Sequence, residues 1–430
     1  MNLLVPNITW VSALNVARSL RPYCDKLYGT VTPLLRPKAL QTDAVNNLIY
    51  TTGTALFDRV FDGSMPAKPE EEAEEAAAYV ERILDVCRRY RVDTIYPSND
   101  VEMRIVAKYS ERFVAEGVTP VVSSYESLLL SQDKFEVGRL AEEVGFPCVQ
   151  TVLCESEAQA LEAAGRLGYP LVLKSAFSRG SYGVRFVGSG EQLRAEMADL
   201  LKTDDRLILQ EYIPGNRERS FNLLLGLDGE PLLTFTLRKM HYLKPSMSTA
   251  IEVVESPPEM EAAVKLMRRM GVAGFCSIQT KVDERDGKYK LIEVNARFGS
   301  NARIFFRFPN NLPLATVDIF RGERPSVQEY PVGLKGVSPF EDLLAWLPYL
   351  SVKYLGAQEG DELLVSNPPP ALKSMAKSYA RLYRSCPIVD DNAAVLLSDP
   401  VCTLRFYAWL LKSMTALPKH WRFFLPWGDI

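Results

Sequence analysis

The sequence predicts an α/β protein with a parallel sheet in front, a strand-rich unit in the middle and a mainly helical extension at the end. Three observations carry this. Short apolar runs alternate with helix-period segments through residues 1–122, the pattern of a parallel sheet with crossover helices. Residues 218–295 are dense in strand runs with hairpin turns at Asp228-Gly229 and Asp286-Gly287. The 430 residues suit about three domains at ~150 residues each.

In order, Leu3–Pro6 reads as a strand, Ser12–Leu20 as a helix and Leu27–Val31 as a second strand. Residues 69–91 form the clearest helix. Pro69 suits its first turn, five glutamates between 70 and 75 its positive end, and Arg88, Arg89 and Arg91 its negative end. Tyr79, Val80, Ile83, Leu84 and Cys87 make its buried stripe. A strand at Thr94–Tyr96, an N-cap near Ser98–Asp100, a helix, and a strand at Thr119–Val122 follow. The first strand-to-helix turn, Pro6 to Trp10, has no GxGxxG, which argues against a dinucleotide there.

A second unit opens near Ser123 with helical patterns at about 124–130 and 132–144. Strands at Val149–Leu153, Leu171–Lys174, Val184–Val187 and Leu207–Glu211 alternate with helices at 155–167 and about 190–201. An amphipathic helix near 258–270 interrupts the later strands. After Pro368-Pro369-Pro370 comes a tail rich in aromatics, including Trp409, Trp421 and Trp427. Packing as a helical cap suits it better than a membrane-surface helix, because its basic residues are sparse and Pro418 interrupts it.

Composition removes several classes of function. Fifty Lys and Arg against 53 Asp and Glu leave no basic excess for tracking phosphates, so no nucleic-acid partner is expected. No apolar run of about 18 residues predicts a membrane span. The opening segment lacks the look of a signal peptide, so a cytoplasmic location is expected. Seven cysteines are scattered without a CxxC pair, which suits reduced thiols. Only His241 and His420 are histidines, which leaves little for a zinc site or a Ser-His-Asp triad. Catalysis must then rest on Lys, Arg, Glu, Asp, Asn and Gln, a set suited to neutralising charge and binding hard cations.

Three constellations carry chemistry. Lys174 ends an apolar strand and is followed by Ser178-Arg179-Gly180-Ser181-Tyr182-Gly183, a loop that can approach an anion with its backbone. A hairpin with a solvent-facing lysine would look the same. Glu211-Tyr212-Ile213 leaves a strand, with Glu218 downstream, an arrangement that can meet an adenine edge and ribose hydroxyls. Glu293 and Asn295 are two apart on one strand and face one side. A two-residue Asp286-Gly287 turn would set Thr280 opposite Glu293. A three-residue loop, Arg285 to Gly287, would set Gln279 there, and that is the expectation adopted. Three oxygen donors with one charge suit Mg²⁺ that shares substrate phosphates.

With these residues in order, the chain resembles the ATP-grasp superfamily over roughly residues 123–325. The nearest likeness is to its carbamoyl-phosphate-synthetase-like branch. There a Gln fourteen residues before the Glu replaces the acid of D-alanine ligases, and Gln279 and Glu293 have that spacing. The resemblance implies an N-terminal Rossmann-like pre-grasp domain over 1–122. It implies an ATP-grasp domain over 123–325, with a lid at about 148–215, and a C-terminal extension over 326–430. It implies that Lys134, Lys174 and the glycine loop (Ser178, Gly180, Ser181, Gly183) hold ATP phosphates. Glu211, Tyr212 and Ile213 would meet the adenine and Glu218 the ribose. Gln279, Glu293 and Asn295 would bind one or two Mg²⁺, with Mn²⁺ as a substitute. Arg297 would face the transferred phosphoryl group, and Arg238 and Ser248 would touch phosphate or substrate.

The activity implied is an ATP- and Mg²⁺-dependent carbon–nitrogen ligase that joins a carboxylate to an amine, an amino acid or small peptide, through an acyl phosphate. The alternatives are phosphorylation of an enol or hydroxyl followed by amine substitution, or a kinase or carboxylase of the same fold. With one grasp unit and no glutaminase segment, carbamoyl phosphate synthesis itself is not expected. The segment Ser398-Asp399-Pro400 and the aromatic tail resemble tails of stand-alone ligases of this branch. Small-molecule substrates, no stable membrane insertion and a homodimer through the N-terminal unit complete the expectation.

Overall fold

The computed structural model describes residues 1–8, 11–31, 45–50, 69–177, 183–202, 204, 206–215, 217–244, 247–299, 309–338 and 388–389. Residues 178–182 and nearly all of the extension after Ser338 lie outside them, so expectations that fall there receive no structural account.

The N-terminal unit is an all-parallel sheet of β1 (Asn2–Val5), β2 (Lys26–Val31), β3 (Asn47–Tyr50), β4 (Thr94–Ile95) and β5 (Thr119–Pro120), in the order β3-β2-β1-β4-β5. Such strands are apolar on both faces, and Leu3, Leu4 and Val5 are all fully buried. Helix α1 (Val11–Leu20) joins the core beneath one face. Helices α2 (Pro69–Tyr90) and α3 (Asp100–Lys108) join the core on the other. The α2 stripe of Tyr79, Val80, Ile83, Leu84 and Cys87 is buried as its periodicity requires. A short helix α4 (Ser110–Ala115) precedes β5.

Helices α5 (Tyr125–Gln132) and α6 (Lys134–Glu143) lead into a four-stranded antiparallel sheet. Its strands are β6 (Thr151–Cys154), β7 (Leu171–Ser175), β8 (Arg185–Val187) and β9 (Leu207–Glu211), in the order β6-β9-β7-β8. Helices α7 (Glu157–Leu167) and α8 (Gly190–Leu200) close over it around a separate core that includes Cys154, Leu171, Leu193 and Leu209.

The largest sheet holds β10 (Glu218–Leu225), β11 (Pro231–Lys244), β12 (Met247–Val254), β13 (Gly274–Val282), β14 (Tyr289–Asn295), β15 (Lys335–Val337) and β16 (Ile388–Val389). Their order is β14-β13-β10-β11-β12-β15-β16. The mainly helical expectation for 326–430 therefore needs amending at two places, because β15 and β16 extend this sheet at its edge. Helix α9 (Glu259–Met270) ends at left-handed Gly271 (φ 68°), and α10 (Leu312–Phe320) is capped by Asn311.

One face of this sheet packs Phe221, Leu223, Cys276, Ile278, Leu291 and Val294 against α5, α6 and α9. The other changes character along each strand. On β10 the order is Leu224, Asn222, Ser220, Glu218; on β13 it is Phe275, Ser277, Gln279, Lys281; on β11 Leu237 gives way to Lys239. The apolar end packs against the N-terminal unit and α10. The polar end forms the floor of the site.

Candidate active site

Gln279 lies directly opposite Glu293, and Ser277 opposite Asn295. The pairing matches the expectation, but a different device produces it. Asp283 N–H donates to Lys288 O (2.9 Å), which leaves a four-residue loop, Glu284 to Gly287, with Gly287 at φ 73°. Val282 then pairs with Tyr289 and Thr280 with Leu291. The register shifts between Gln279 and Thr280, with Ile292 as the extra residue, a β-bulge. The bulge explains how Leu291 and Val294, three apart, are both buried in the same core. A regular strand would turn them to opposite faces.

The donor set fits a hard cation. Gln279 Nε2 donates to Ser277 Oγ (2.9 Å), while Gln279 Oε1 is buried and has no hydrogen-bond partner. Asn295 Nδ2 donates to Glu293 Oε1 (3.2 Å), which leaves the Asn295 amide oxygen for another partner. An orphaned carbonyl beside a carboxylate and a second amide is a geometry that a cation completes. Among the described residues no three His, Cys, Asp or Glu side chains gather as a metal site. Any divalent ion held by this set must use amide oxygens and substrate phosphates.

Two lysines meet this face. Asp133 caps α6, accepting from Phe135 N and Glu136 N at 3.1 Å each, and so sets Lys134 as the first helical residue. Lys134 N–H donates to Ala176 O (2.9 Å), just past the end of β7, which carries Lys174. Both side chains are buried. Burial drives the Lys174 ammonium down to about 7, the charge of Lys134 adds to this, and Glu293 opposes it. Burial likewise lowers Lys134, against the pull of Glu293, Asp100, Asp133 and Asp204. Around Lys174 the charge of Lys134 outweighs that of Glu293, a local shortage of negative charge that a polyphosphate would make good.

Arg297 follows β14. Its Nε donates to Asp100 Oδ1 (2.6 Å) and its Nη2 to Asp100 Oδ2 (3.0 Å), a bidentate pair. Burial works against the guanidinium charge, yet the field and hydrogen bonds of Asp100 prevail and raise it. Asp100 opens α3 in the N-terminal unit and is the residue that sequence reading missed. It is placed there only as part of a helix cap, and nothing in a separation of 197 residues announces the pair.

The other expected residues distribute as follows. Glu211, at the end of β9, accepts from Gln150 N (3.0 Å) and pairs with Arg285 (2.7 Å). Tyr212 lies edge-on to Phe186, with Lys281 Nζ 5.2 Å from its ring centre, and Ile213 is buried. Glu218 pairs with Lys239 at 2.5 Å and sits opposite Lys281. Burial pushes Lys281 down to about 8, against the pull of Glu218 and Glu284. Gly183 is left-handed (φ 70°) at the end of the undescribed loop. Arg238 is not brought to this cluster. It lies opposite Arg219, on the face turned away from Gln279, and pairs with Glu252. Ser248 is buried on β12.

A parallel α/β unit, a small two-layer unit bearing a buried lysine and an antiparallel sheet with paired oxygen donors define an ATP-grasp type of nucleotide site. Residues 133–304 match the family model for the carbamoyl-phosphate synthase L chain, ATP binding domain. The chain thus carries an ATP-grasp domain of the carbamoyl-phosphate-synthetase-like branch. It is 24% identical over 294 residues to the mitochondrial arginine-specific carbamoyl phosphate synthase large chain of Neurospora crassa, covering 65% of this chain and 24% of that one. It is 21% identical over 286 residues to the carbamoyl phosphate synthase large chain of Methanobrevibacter smithii, covering 63% of this chain and 26% of that one. The chain spans about a quarter of these relatives' length. The biotin carboxylase of Campylobacter jejuni, solved as a β,γ-ATP complex, superposes with a TM-score of 0.62 at 15% identity, covering 76% of this chain and 72% of that one. The biotin carboxylase domain of Hydrogenobacter thermophilus 2-oxoglutarate carboxylase, a dimer with MgADP and bicarbonate, does so at 0.60 and 16%, covering 77% and 72%. No helix among the described residues is long and apolar enough to cross a membrane.

Proposed function

We propose that the chain is an ATP- and Mg²⁺-dependent ligase that activates a small carboxylate as its acyl phosphate and transfers the acyl group to an amine. The observation that carries this is the meeting of Gln279, Glu293 and Asn295 with the buried Lys134 and Lys174. One side offers oxygen donors and the other two buried ammonium groups, the two halves of a clamp for a metal-bound polyphosphate.

The Gln279 and Asn295 amide oxygens and the Glu293 carboxylate would hold Mg²⁺, which supplies charge neutralisation to the phosphates. Lys134 and Lys174 bind phosphate oxygens and regain full charge as they do. The segment from Glu211 to Ile213 receives the adenine, and Glu218 lies where ribose hydroxyls would reach. Arg297 is held by Asp100 toward the transferred phosphoryl group. A substrate carboxylate oxygen then attacks the γ-phosphorus and ADP leaves. The amine nitrogen attacks the acyl carbon, inorganic phosphate leaves and the amine gives up a proton. The four-stranded unit acts as the lid that keeps water from the acyl phosphate. No covalent enzyme intermediate is needed, which suits a chain with two histidines.

With hydroxylamine as the amine, the protein should form hydroxamates from its acid substrate, and ¹⁸O from the carboxylate should appear in phosphate. ADP release without label transfer would favour hydroxyl phosphorylation instead. A Glu293→Gln chain should melt as wild type yet lose Mg-ATP turnover by about a hundredfold or more, as for loss of a transition-state charge partner. Retained turnover would remove the metal assignment.

A further inference from the structure

Lys134 and Lys174 stand on different units, and their own chemistry does not keep them together. Lys134 opens α6, which packs against the large sheet, while Lys174 lies on β7 of the four-stranded unit, whose core is its own. The charge of Lys134 acts against that of Lys174, so the two ammonium groups repel. Until an anion lies between them, this repulsion works to part α6 from β7, and other contacts must oppose it.

Arg104 of α3 makes such a contact. It is 3% exposed. Its Nη1 donates to Gln132 Oε1, two residues before Lys134. Its guanidinium carbon lies 5.4 Å from the centre of the Phe177 ring, three residues after Lys174. A planar guanidinium can donate at its edge and stack by its face at once. Both partners are anchored, since Gln132 ends α5 and Phe177 N–H donates to Ser175 Oγ (3.1 Å) at the end of β7. Asp100 lies one turn before Arg104 on the same face of α3 and holds Arg297. One helix of the N-terminal unit therefore braces both the lysine-bearing elements and the strand that carries Glu293.

We propose that Arg104 is a positioning residue for nucleotide binding: by tying Gln132 to Phe177, it keeps Lys134 and Lys174 at the spacing that a polyphosphate needs. It acts through those two partners and makes no contact with the nucleotide. The inference rests on the nucleotide half of the ligase reading and adds to it a residue of the N-terminal unit. Without the tie, the lysines spend part of their time apart, and an arriving nucleotide must first draw them together. Affinity then falls by the fraction of time the lysines are already paired, while the number of sites stays the same. A merely structural role would instead reduce the number of competent chains and leave the affinity of the rest untouched.

The test is calorimetric titration of the full chain with Mg²⁺ and a non-hydrolysable ATP analogue. Arg104→Met keeps much of the stem and removes the donors and the charge. It should weaken binding about tenfold at unchanged stoichiometry, as for lysines paired about a tenth of the time. Arg104→Lys, which keeps a cation beside Phe177, should recover part of the loss. Phe177→Leu removes the ring alone and should lose part of the affinity. It should add nothing in the Arg104→Met background, because that tie is already cut. Unchanged affinity in Arg104→Met, or fewer sites at unchanged affinity, would overturn the positioning role and leave the ligase reading standing. Losses that multiply in the double variant would overturn it as well, since Arg104 would then act independently of Phe177. Absence of binding by the wild-type chain would overturn both.

Discussion

Asp100 and Glu102 sit on the same turn of α3 and act in different ways. Asp100 gives both carboxylate oxygens to Arg297 and so couples the N-terminal unit to the strand that bears Glu293 and Asn295. Asp100→Asn keeps the shape but removes the charge. It should lower kcat by about tenfold, with KM for ATP nearly constant, because a charge-assisted pair is replaced by a neutral contact. A parallel rise in KM for ATP would place Asp100 in ground-state nucleotide binding instead. Asn99 caps this helix: Glu102 N–H donates to Asn99 Oδ1 (3.0 Å), while Asn99 Nδ2 and Tyr79 Oη (3.0 Å) donate to the Glu102 carboxylate. Burial pushes Glu102 from 4.5 up to about 8, despite hydrogen bonds from Tyr79 and Asn99 that pull it down. Between those values the native state holds a proton that the unfolded chain has released. Stability from this group therefore falls as pH rises from 4.5 to 8 and levels off above. Urea unfolding of wild type and Glu102→Gln at pH 5 and pH 8 should show wild type losing ground by about 1 kcal/mol or more. Parallel curves would refute the shift.

At the scale of elements, the β13–β14 hairpin shows what sequence can and cannot convey. Period two puts Glu293 and Asn295 on one face, and an Asp-Gly pair marks a turn. Loop length is harder to read. Asp283 spans the turn with its backbone and also accepts from Arg285 N (3.0 Å), so the loop holds four residues instead of three. The surplus residue is absorbed at Ile292, whose bulge depends on packing of Leu291 and Val294 against helices far away in the chain. The expected face-to-face pair of Gln279 and Glu293 follows from these two features together. Deleting Ile292 should regularise the strand, keep Glu293 opposite Gln279 and preserve ATP turnover. Deleting Val294 should turn Asn295 to the apolar face and abolish turnover. Equal loss in both chains, measured as ADP release, would mean that the bulge itself shapes the site. Arg238 shows the converse limit. Neither its strand, Pro231–Lys244, nor its face was read from the sequence, and irregular pairing begins one residue later, at Lys239.

Over the whole molecule, cores and units do not coincide. One core runs from Leu4 and the α2 stripe through α5 and α6 to Phe221 and Val294 of the large sheet. A second runs from α1 and Val5 to Leu237, Phe275 and α10. The N-terminal unit and the large sheet therefore bury their apolar surface against each other. The alternation of strands and helices announced both units, but not this sharing, since no local pattern encodes which faces meet. The four-stranded unit differs. Its core of Cys154, Ala160, Leu171, Leu193, Met197 and Leu209 is self-contained. Its described ties to the rest include Arg206 with Asp133 and Glu136, Arg285 with Glu211, and the Lys134–Ala176 backbone bond. Half-exposed ion pairs of this kind contribute about 0–1 kcal/mol each. Native-state hydrogen exchange should therefore find β1, β4, β10 and β13 opening together in the global transition, and β6–β9 opening earlier as a unit. Bound Mg²⁺ and an ATP analogue should bring the two classes closer, because the polyphosphate would link Lys174 on β7 to Glu293 on β14. If β7 and β9 already exchange only through global unfolding without nucleotide, the small unit is part of the rigid body and its closure cannot gate access of water to the acyl phosphate.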